Sequence, residues 1–274
     1  MSGVARRIGQ TDRVRVVETG PDGDRAREDA VAAEEPLEIR VAWPGAVPRR
    51  AWVTMRTPGH DFELATGWAF HEGLVAAGDV AEVGYCTDVD LAPEQEFNVV
   101  TLRSGRPVDL GHRHVTLASG SSACGVCGKD SVAAALETVR GTPWAGPEPR
   151  EDVVRRLPLL LSEEQSVFAR TGGVHAAGLF AADGDRRVVR EDVGRHNAVD
   201  KVSGACVLAG RSPADAYLVV SGRAGFELVQ KAVAAGVGSL VAVGAPSSLA
   251  VHLAREAGLA LFGFTREDRT VRYA

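Results

Sequence analysis

The second half of the chain alternates short apolar runs with helical patterns, and this alternation limits the possible folds more than any other feature. The strand candidates are residues 174–181, 187–191, 216–220, 239–243 and 259–262. The helical patterns cover residues 195–209, 224–235 and 247–257. Further helices are predicted from Ser131 and over 151–168, the latter interrupted near Pro158. Such alternation is typical of an α/β layer whose sheet is at least partly parallel.

The first half is predicted to be smaller and rich in β-structure. Residues 37–55 alternate apolar and polar side chains on both sides of a Pro/Gly turn, which indicates a hairpin. A helix is predicted from Asp61, acting as its N-cap, to about Val75. Two further strands are predicted over 80–86 and 97–102.

Residues 1–34 are rich in Arg, Asp, Glu, Gly and Ala and carry few large apolar groups. Such a segment cannot offset the entropy lost on ordering, so it is predicted to be a mobile tail. The chain is therefore divided into this tail, a β-rich N-terminal portion at 35–118 and an α/β domain at 119–274.

Composition excludes several classes of protein. The 274 residues are 45% hydrophobic with a net charge of -5, which is typical of a globular protein and offers no basic field for nucleic acid or a membrane surface. Arg6 and Arg7 are not followed by an apolar stretch, so we expect no export signal and a cytoplasmic location. Four cysteines in a large cytoplasmic chain do not form a disulfide framework. The question is therefore whether these cysteines are reactive thiols or metal ligands.

The sharpest local signal is the cysteine pair Cys124 and Cys127, in a glycine- and serine-rich loop that runs into the helix predicted from Ser131. Backbone N–H groups at a helix start and the neighbouring Lys129 favour a thiolate. Glycines in the loop let a cysteine move between a donor and an acceptor. The pair could also be a chance pair in a surface loop.

Three chemistries compete for the pair. A thioredoxin-type redox site would follow the first strand of a βαβ unit, which this pair does not. A zinc site needs a further ligand, for which His175 is the candidate, but zinc deaminases place H-x-E before the cysteines, and Ala177 stands where their Glu would be. The third is sulfur transfer, in which a thiolate of low pKa takes the outer sulfur of a donor persulfide.

Two further polar segments could bind a phosphate or a pterin. The first, REDVGRHNAVDKVSG, places Arg195, His196, Asn197, Asp200 and Lys201 at a predicted helix start, where exposed N–H groups attract anions. A capped, solvated first turn explains that segment equally well. The second is the turn at 221–223, which ends in an arginine, Arg223, and which a plain tight turn explains as well. The remaining candidates, His175 and Cys206, lie on apolar patterns and are predicted to be core residues.

Taken together, the motifs resemble the formate dehydrogenase accessory sulfurtransferase family. The matching segments, which cover the chain from about residue 36, are TPGHDFELATGWAFHEGLV at 57–75, SSACGVCGK at 121–129, RTGGVHAAG at 170–178, REDVGRHNAVDKVSG at 190–204, SGRAGFELVQKA at 221–232 and FGFTREDR at 262–269. The resemblance implies a cytidine deaminase-like α/β core, a fold that by itself does not imply deaminase activity.

The resemblance also implies a function. The protein would take persulfide sulfur from a cysteine desulfurase onto Cys124, with Cys127 as a helper. It would deliver that sulfur to the molybdenum bis(guanine dinucleotide) cofactor of apo formate dehydrogenase, bound as a substrate. The family's cofactor-binding stretch corresponds to Phe264, Thr265, Arg266, Glu267, Asp268 and Arg269.

The same resemblance implies a homodimer, and we expect no resident metal. From the position of the strand ends, the turns at 221–223 and 244–248 and the end of the strand at 259–262 are predicted to form one wall of the cofactor site. The alternative function is a chaperone that binds the cofactor without covalent sulfur chemistry, its cysteines being structural or zinc-bound.

Overall fold

The computed structural model describes residues 9–87, 91–92, 95–110 and 139–274. The strands are β1 (Thr11–Gly20), β2 (Gly23–Ala32), β3 (Glu35–Ala42), β4 (Arg49–Arg56), β5 (Val80–Tyr85), β6 (Val99–Ser104), β7 (His175–Phe180), β8 (Arg186–Asp192), β9 (Tyr217–Val220), β10 (Ser239–Ala242), β11 (Ala260–Arg266) and β12 (Arg269–Arg272). The helices are α1 (Asp61–His71), α2 (Glu151–Ser162), α3 (Ser166–Thr171), α4 (Arg195–Leu208), α5 (Phe226–Ala235) and α6 (Ser248–Ala257).

A six-stranded sheet in the order β12-β11-β10-β9-β7-β8 forms the C-terminal layer. Strands β9, β10 and β11 run parallel, whereas β7 is antiparallel to both of its neighbours and β12 is antiparallel to β11. Alternate residues of a strand face opposite sides. Leu218 and Val220 therefore pack with α4, α5 and α6, while Tyr217 and Val219 pack with α2 on the other face.

The N-terminal portion is a four-stranded sheet in the order β4-β3-β6-β5, with α1 packed against it. Its core is closed by Trp52 and Trp68, whose rings stack with centroids 5.2 Å apart. The structure is thus mixed α/β, as predicted, and the hairpin predicted over 37–55 is confirmed as β3 and β4. The likeness of the core to cytidine deaminase stays a prediction.

The segment predicted to be a mobile tail forms a hairpin of β1 and β2 over residues 11–32. Opposite charges face each other across the two strands, with Arg27 Nε 2.7 Å from Glu18 Oε2. The base of the hairpin packs on α3. Low apolar content led to the prediction of disorder, but cross-strand pairing and this docking need few large apolar groups. The remaining boundaries, at 35–118 and 119–274, stay predictions.

Two helix boundaries also differ from the prediction. Asp61 is the first residue of α1, not its cap; its buried carboxylate accepts hydrogen bonds from the Arg56 guanidinium at 3.1 and 3.0 Å. Pro158 does not interrupt α2, which continues to Ser162. An interior proline costs a helix about 3 kcal/mol, which burial of the apolar face of α2, including Leu157 and Leu161, offsets.

The two halves of the protein meet where α1 crosses α4 without side chains between the backbones. A β-carbon on Gly67 would collide with the Asp200 carbonyl, and one on Gly204 would collide with the Glu63 carbonyl. Only glycine permits so close an approach.

Buried charges surround this crossing. The Asp200 carboxylate lies 2.6 Å from His71 Nδ1 and 2.7 Å from Lys231 Nζ, so it joins three helices. The ammonium of Lys201, fully buried, lies 2.6 Å from Asp192 and donates to the Thr57 carbonyl at 2.9 Å. Each charge has a partner, and removing one partner would leave the other uncompensated in the interior.

The glycine crossing can be tested with alanine substitutions. We expect Gly67→Ala and Gly204→Ala each to lower the free energy of unfolding by about 1–3 kcal/mol or more, since overpacking outweighs the better helix propensity of alanine. Gly84→Ala is the control, because a β-carbon there meets nothing within 4 Å. Urea denaturation measures the differences, and wild-type stability of both helix variants would contradict the close crossing.

Two buried histidines make stability depend on pH. Burial lowers the pKa of His71, and burial together with Arg195 and Lys231 lowers that of His196 to about 4 despite nearby Glu227. The unfolded chain, with histidine pKa values near 6.5, binds these protons first, so the free energy of unfolding should fall as pH drops from about 6.5 to 4.

His196→Gln should flatten that slope, whereas His252→Gln, at an exposed position, should leave it unchanged. Denaturant titrations at pH 7.5, 6 and 5 give the slope for each protein. An unchanged slope in His196→Gln would mean that this histidine does not titrate differently in the two states.

Candidate functional site

A cleft of about 880 Å³ opens at the carboxyl ends of the parallel strands. Ser221 follows β9, Val243 follows β10 and Arg266 ends β11, and all three line it. Parallel strands bring their carboxyl ends to one edge, which is where α/β sheets bind ligands. Of the segments predicted to form one wall, only Ser221 of the turn at 221–223 lines this cleft; Arg223 and the residues of 244–248 and 259–262 do not.

Arg266 supplies the positive charge of this cleft. Its Nη1 donates to the Val243 carbonyl at 2.8 Å and to the Thr265 carbonyl at 2.7 Å. These two bonds hold the guanidinium over the end of β10, while Nε and Nη2 have no protein partner among the described residues. An arginine held in this way can bind a phosphate with its remaining donors.

Ser221 and His175 lie beside each other on the polar side of the cleft. The Ser221 hydroxyl oxygen accepts from the Ala176 N–H at 2.9 Å, which leaves its own proton available to a ligand. Burial, with a smaller contribution from Arg195, lowers the pKa of His175. The imidazole is consequently neutral near pH 7. His175, considered as a zinc ligand or a core residue, is half-buried and lines the cleft.

Glu267 and Asp268 complete the polar side. They occupy the turn between β11 and β12, because Arg266 pairs with Arg269 in the strand register. Both residues are exposed and both line the cleft. Arg266 is thus followed directly by two acidic groups at the same site.

The other predicted cofactor-binding residues lie outside the cleft lining. Phe264 is 39% exposed and has a left-handed backbone conformation, with φ 50°, and the Arg269 guanidinium carbon lies 5.6 Å from its ring centroid. Thr265 is fully buried, with its hydroxyl 3.0 Å from that of Thr270. Of the six residues, the structure brings Arg266, Glu267 and Asp268 to the cleft. Ligand binding by any of the six stays a prediction.

The other part of the lining comes from α2, α3 and the segments next to them, and it mixes apolar side chains with Ser162 and Gln165. Its exposed apolar side chains are Leu159 and Phe168, 44% and 46% accessible. Glu191 fixes the start of α3, since its carboxylate accepts from the N–H groups of Val167 and Phe168, each at 2.8 Å. Phe168 therefore presents an aromatic ring from an anchored backbone. The sequence had assigned it only to a helix end, and no local signal marked it as part of a cleft.

Four of the five side chains proposed for a phosphate or pterin site at the start of α4 are buried and paired within the protein, and the fifth, Arg195, is half-buried. Asn197 donates to the Met55 carbonyl at 2.8 Å, Lys201 is enclosed with Asp192, and His196 Nε2 lies 3.1 Å from Glu227. Asn197 joins the two halves, as does Lys201 through its bond to the Thr57 carbonyl, whereas His196 pairs with Glu227 inside the C-terminal half. Cys206 is buried, as predicted.

Several predictions lie outside the described residues. Cys124, Cys127, Lys129 and the helix predicted from Ser131 all fall within 111–138. Within the ranges that are described, no three His, Cys, Asp or Glu side chains are arranged to hold a metal ion, and no helix is long and apolar enough to cross a membrane. The zinc alternative depends on the cysteine pair and stays untested.

Comparison with known proteins identifies relatives over nearly the whole chain. The chain is 49% identical to the sulfur carrier protein FdhD of Nocardia farcinica, with 94% of this chain and 91% of that protein aligned. It is 47% identical to the protein of the same name from Mycolicibacterium paratuberculosis, with 94% of each covered.

A solved structure has the same fold. The crystal structure of a protein described as a formate dehydrogenase accessory protein from Desulfotalea psychrophila matches with a TM-score of 0.74. It is 23% identical, and the match covers 96% of this chain and 97% of that one. Residues 32–274 match the model of the FdhD/NarQ family. The chain belongs to the FdhD/NarQ family.

Proposed function

We infer that this protein is a sulfur carrier for the maturation of formate dehydrogenase. The observation that carries the proposal is its identity of nearly one half, over almost the full chain, to proteins named sulfur carrier protein FdhD. The cleft adds a physical reason, because it offers an arginine, a hydroxyl donor and the exposed ring of Phe168 to a ligand. A nucleotide-bearing cofactor combines a phosphate with a flat ring and matches that set.

In the proposed reaction, sulfur moves by thiol chemistry at Cys124. Its thiolate attacks the outer sulfur of a cysteine persulfide on a desulfurase, the bond between the two donor sulfurs breaks, and the donor cysteine leaves as a thiolate. Cys124 then carries the persulfide, with Cys127 as its helper. The outer sulfur would be passed to the molybdenum of the bis(guanine dinucleotide) cofactor as a neutral sulfur atom, which regenerates the Cys124 thiolate. The two electrons that turn this atom into a sulfido ligand would come from the metal, which would be oxidised from Mo(IV) to Mo(VI).

The cofactor is a substrate in this scheme, and the cleft would bind one of its nucleotide arms. A volume of about 880 Å³ lies within the usual range of small-molecule sites, roughly 300–1,000 Å³. Arg266 would bind the pyrophosphate, assisted by the Ser221 hydroxyl. Apo formate dehydrogenase would receive the sulfurated cofactor. We further propose a cytoplasmic homodimer without a resident metal.

The alternative is a chaperone that binds the cofactor without forming a persulfide. The cleft would bind the cofactor in both functions. Persulfide formation on Cys124 is expected only for the sulfur carrier, so it distinguishes the two. If the cysteine pair is structural or bound to zinc, the protein carries no sulfur, and its contribution is limited to binding.

Persulfide loading tests the sulfur carrier. After incubation with a cysteine desulfurase and cysteine, the wild type should gain about 32 Da per acceptor thiol, the mass of one sulfur atom. Cys124→Ala should not, whereas Cys86→Ala, which removes a partly exposed cysteine of the N-terminal sheet, should load as wild type. Intact-protein mass spectrometry reads the result, and normal loading of Cys124→Ala would refute the assignment.

Nucleotide binding tests the cleft. Arg266→Ala should weaken GDP binding about 10–100-fold, because it removes a charge-assisted hydrogen bond worth about 1.5–3 kcal/mol. Arg269→Ala is the matched control, since this arginine lies over Phe264 and does not line the cleft. Calorimetry gives both affinities. If GDP affinity falls equally in the two variants, or in neither, the assignment of Arg266 to the binding site is contradicted.

A further inference from the structure

We propose that Glu191 is a positioning residue of the cleft. From strand β8 it caps helix α3, and in this way it holds the Phe168 ring in place for a bound ligand. The inference rests on the proposed function, because it takes the cleft to be a ligand site. It goes beyond that function by making ligand affinity depend on a buried carboxylate that does not itself line the cleft.

Helix α3 lacks the means to fix its own start. It has six residues, and an isolated helix of that length is not stable in water. The first turn of a helix also leaves backbone N–H groups without partners inside the helix. Gln165 occupies the N-cap position, but its side chain makes no capping hydrogen bond. The groups that fix the start of α3 therefore come from elsewhere in the fold.

Glu191 supplies these partners. One carboxylate oxygen accepts from the Val167 N–H and the other from the Phe168 N–H, each at 2.8 Å. A carboxylate at a helix N-terminus is stabilised further by the helix dipole. Only 7% of Glu191 is exposed, so water cannot readily replace either bond when it is lost. Both oxygens of this side chain thus serve the backbone of α3.

The backbone of Glu191 is fixed in turn by the sheet and the interior. The residue pairs with Ala176 of β7 in the strand register, and its carbonyl accepts from the Lys201 ammonium at 3.3 Å. The next residue, Asp192, lies 2.6 Å from the same ammonium, which is fully buried. Helix α3 is therefore attached to a rigid part of the protein, unlike a helix capped by an exposed side chain.

The two capped residues face different surroundings. Val167 is 1% exposed and lies in the interior, whereas Phe168 is 46% exposed and lines the cleft. The place of the Phe168 ring is consequently set by the backbone of α3 more than by burial of the ring. If the start of α3 unwinds, only a fraction of the molecules presents the ring to a ligand, and the apparent affinity falls by that fraction.

Calorimetry with GDP on the full-length protein tests the inference. Phe168→Ala should weaken GDP binding about 5–100-fold, because it removes the surface on which a base stacks. Glu191→Gln should weaken it about 3–10-fold, the effect expected from loss of a helix cap. The amide accepts from one N–H and turns its own N–H groups toward the other, so the isosteric variant breaks the cap without opening a cavity.

The double variant Phe168→Ala/Glu191→Gln gives the decisive comparison. If Glu191 acts through the Phe168 ring, its replacement has no further effect once the ring is absent. The double variant should then match Phe168→Ala within about twofold. Glu191→Asp is a second route to the same result, since its shorter side chain cannot reach both N–H groups. It should weaken GDP binding as Glu191→Gln does, and hydrogen exchange over residues 166–171 should rise in both.

Glu63→Gln is the matched control. The Glu63 carboxylate binds Arg190, the neighbour of Glu191 in β8, with Arg190 Nη2 at 2.7 Å. Neighbouring residues of a strand face opposite sides, so this substitution removes a carboxylate partner on the side away from α3. It should lower stability and leave GDP affinity unchanged. Urea denaturation shows that each variant is folded under the conditions of calorimetry, and persulfide loading on Cys124 should be normal in all of them.

The outcomes separate the inference from the function beneath it. Wild-type affinity in both Glu191→Gln and Glu191→Asp would overturn the positioning role and leave the nucleotide site intact. An equal further loss on adding Glu191→Gln to Phe168→Ala would also overturn it, since the carboxylate would then act independently of the ring. If wild type does not bind GDP, the nucleotide site and the inference both fail, while persulfide loading still decides the sulfur carrier.

Discussion

The close approach of α1 to α4 is the constraint on which the rest of the structure depends. Two glycines, Gly67 and Gly204, let the backbones touch, and Asp200 binds His71 and Lys231 beside the crossing. A larger side chain at either glycine would separate the helices and break these contacts. The four-stranded sheet would then lose a main attachment to the six-stranded sheet, leaving the contacts of Met55 and Thr57 with Asn197 and Lys201.

The cleft lies in the C-terminal layer, at strand ends whose position is set by the central sheet. Three parallel strands deliver Ser221, Val243 and Arg266 to one edge, while α2 and α3 cover the neighbouring face. The polar side comes from strand ends and the apolar side from helices. This division follows from the architecture, since strand ends expose backbone and turn residues whereas helices present side chains.

Sequence patterns predicted the α/β class, the parallel strands and most element positions, because apolar periodicity reports burial directly. They could not predict what polar residues pair with. Lys201 and Asn197 looked like ligand-binding residues at a helix start, yet both are enclosed between the two halves. The motif at 264–269 was found by resemblance, but only the folded structure shows that Arg266 lines the cleft while Arg269 lies over the Phe264 ring.

The tether of Arg266 to two backbone carbonyls has a consequence for the rate of binding. A free arginine samples many rotamers and loses that freedom when a ligand arrives, whereas this guanidinium is already immobilised by the folded sheet. The N–H donors of Arg266 are therefore already in position when an anion arrives. The anion can bind without a preceding rearrangement of this side chain, because the entropy of ordering it was lost when the chain folded.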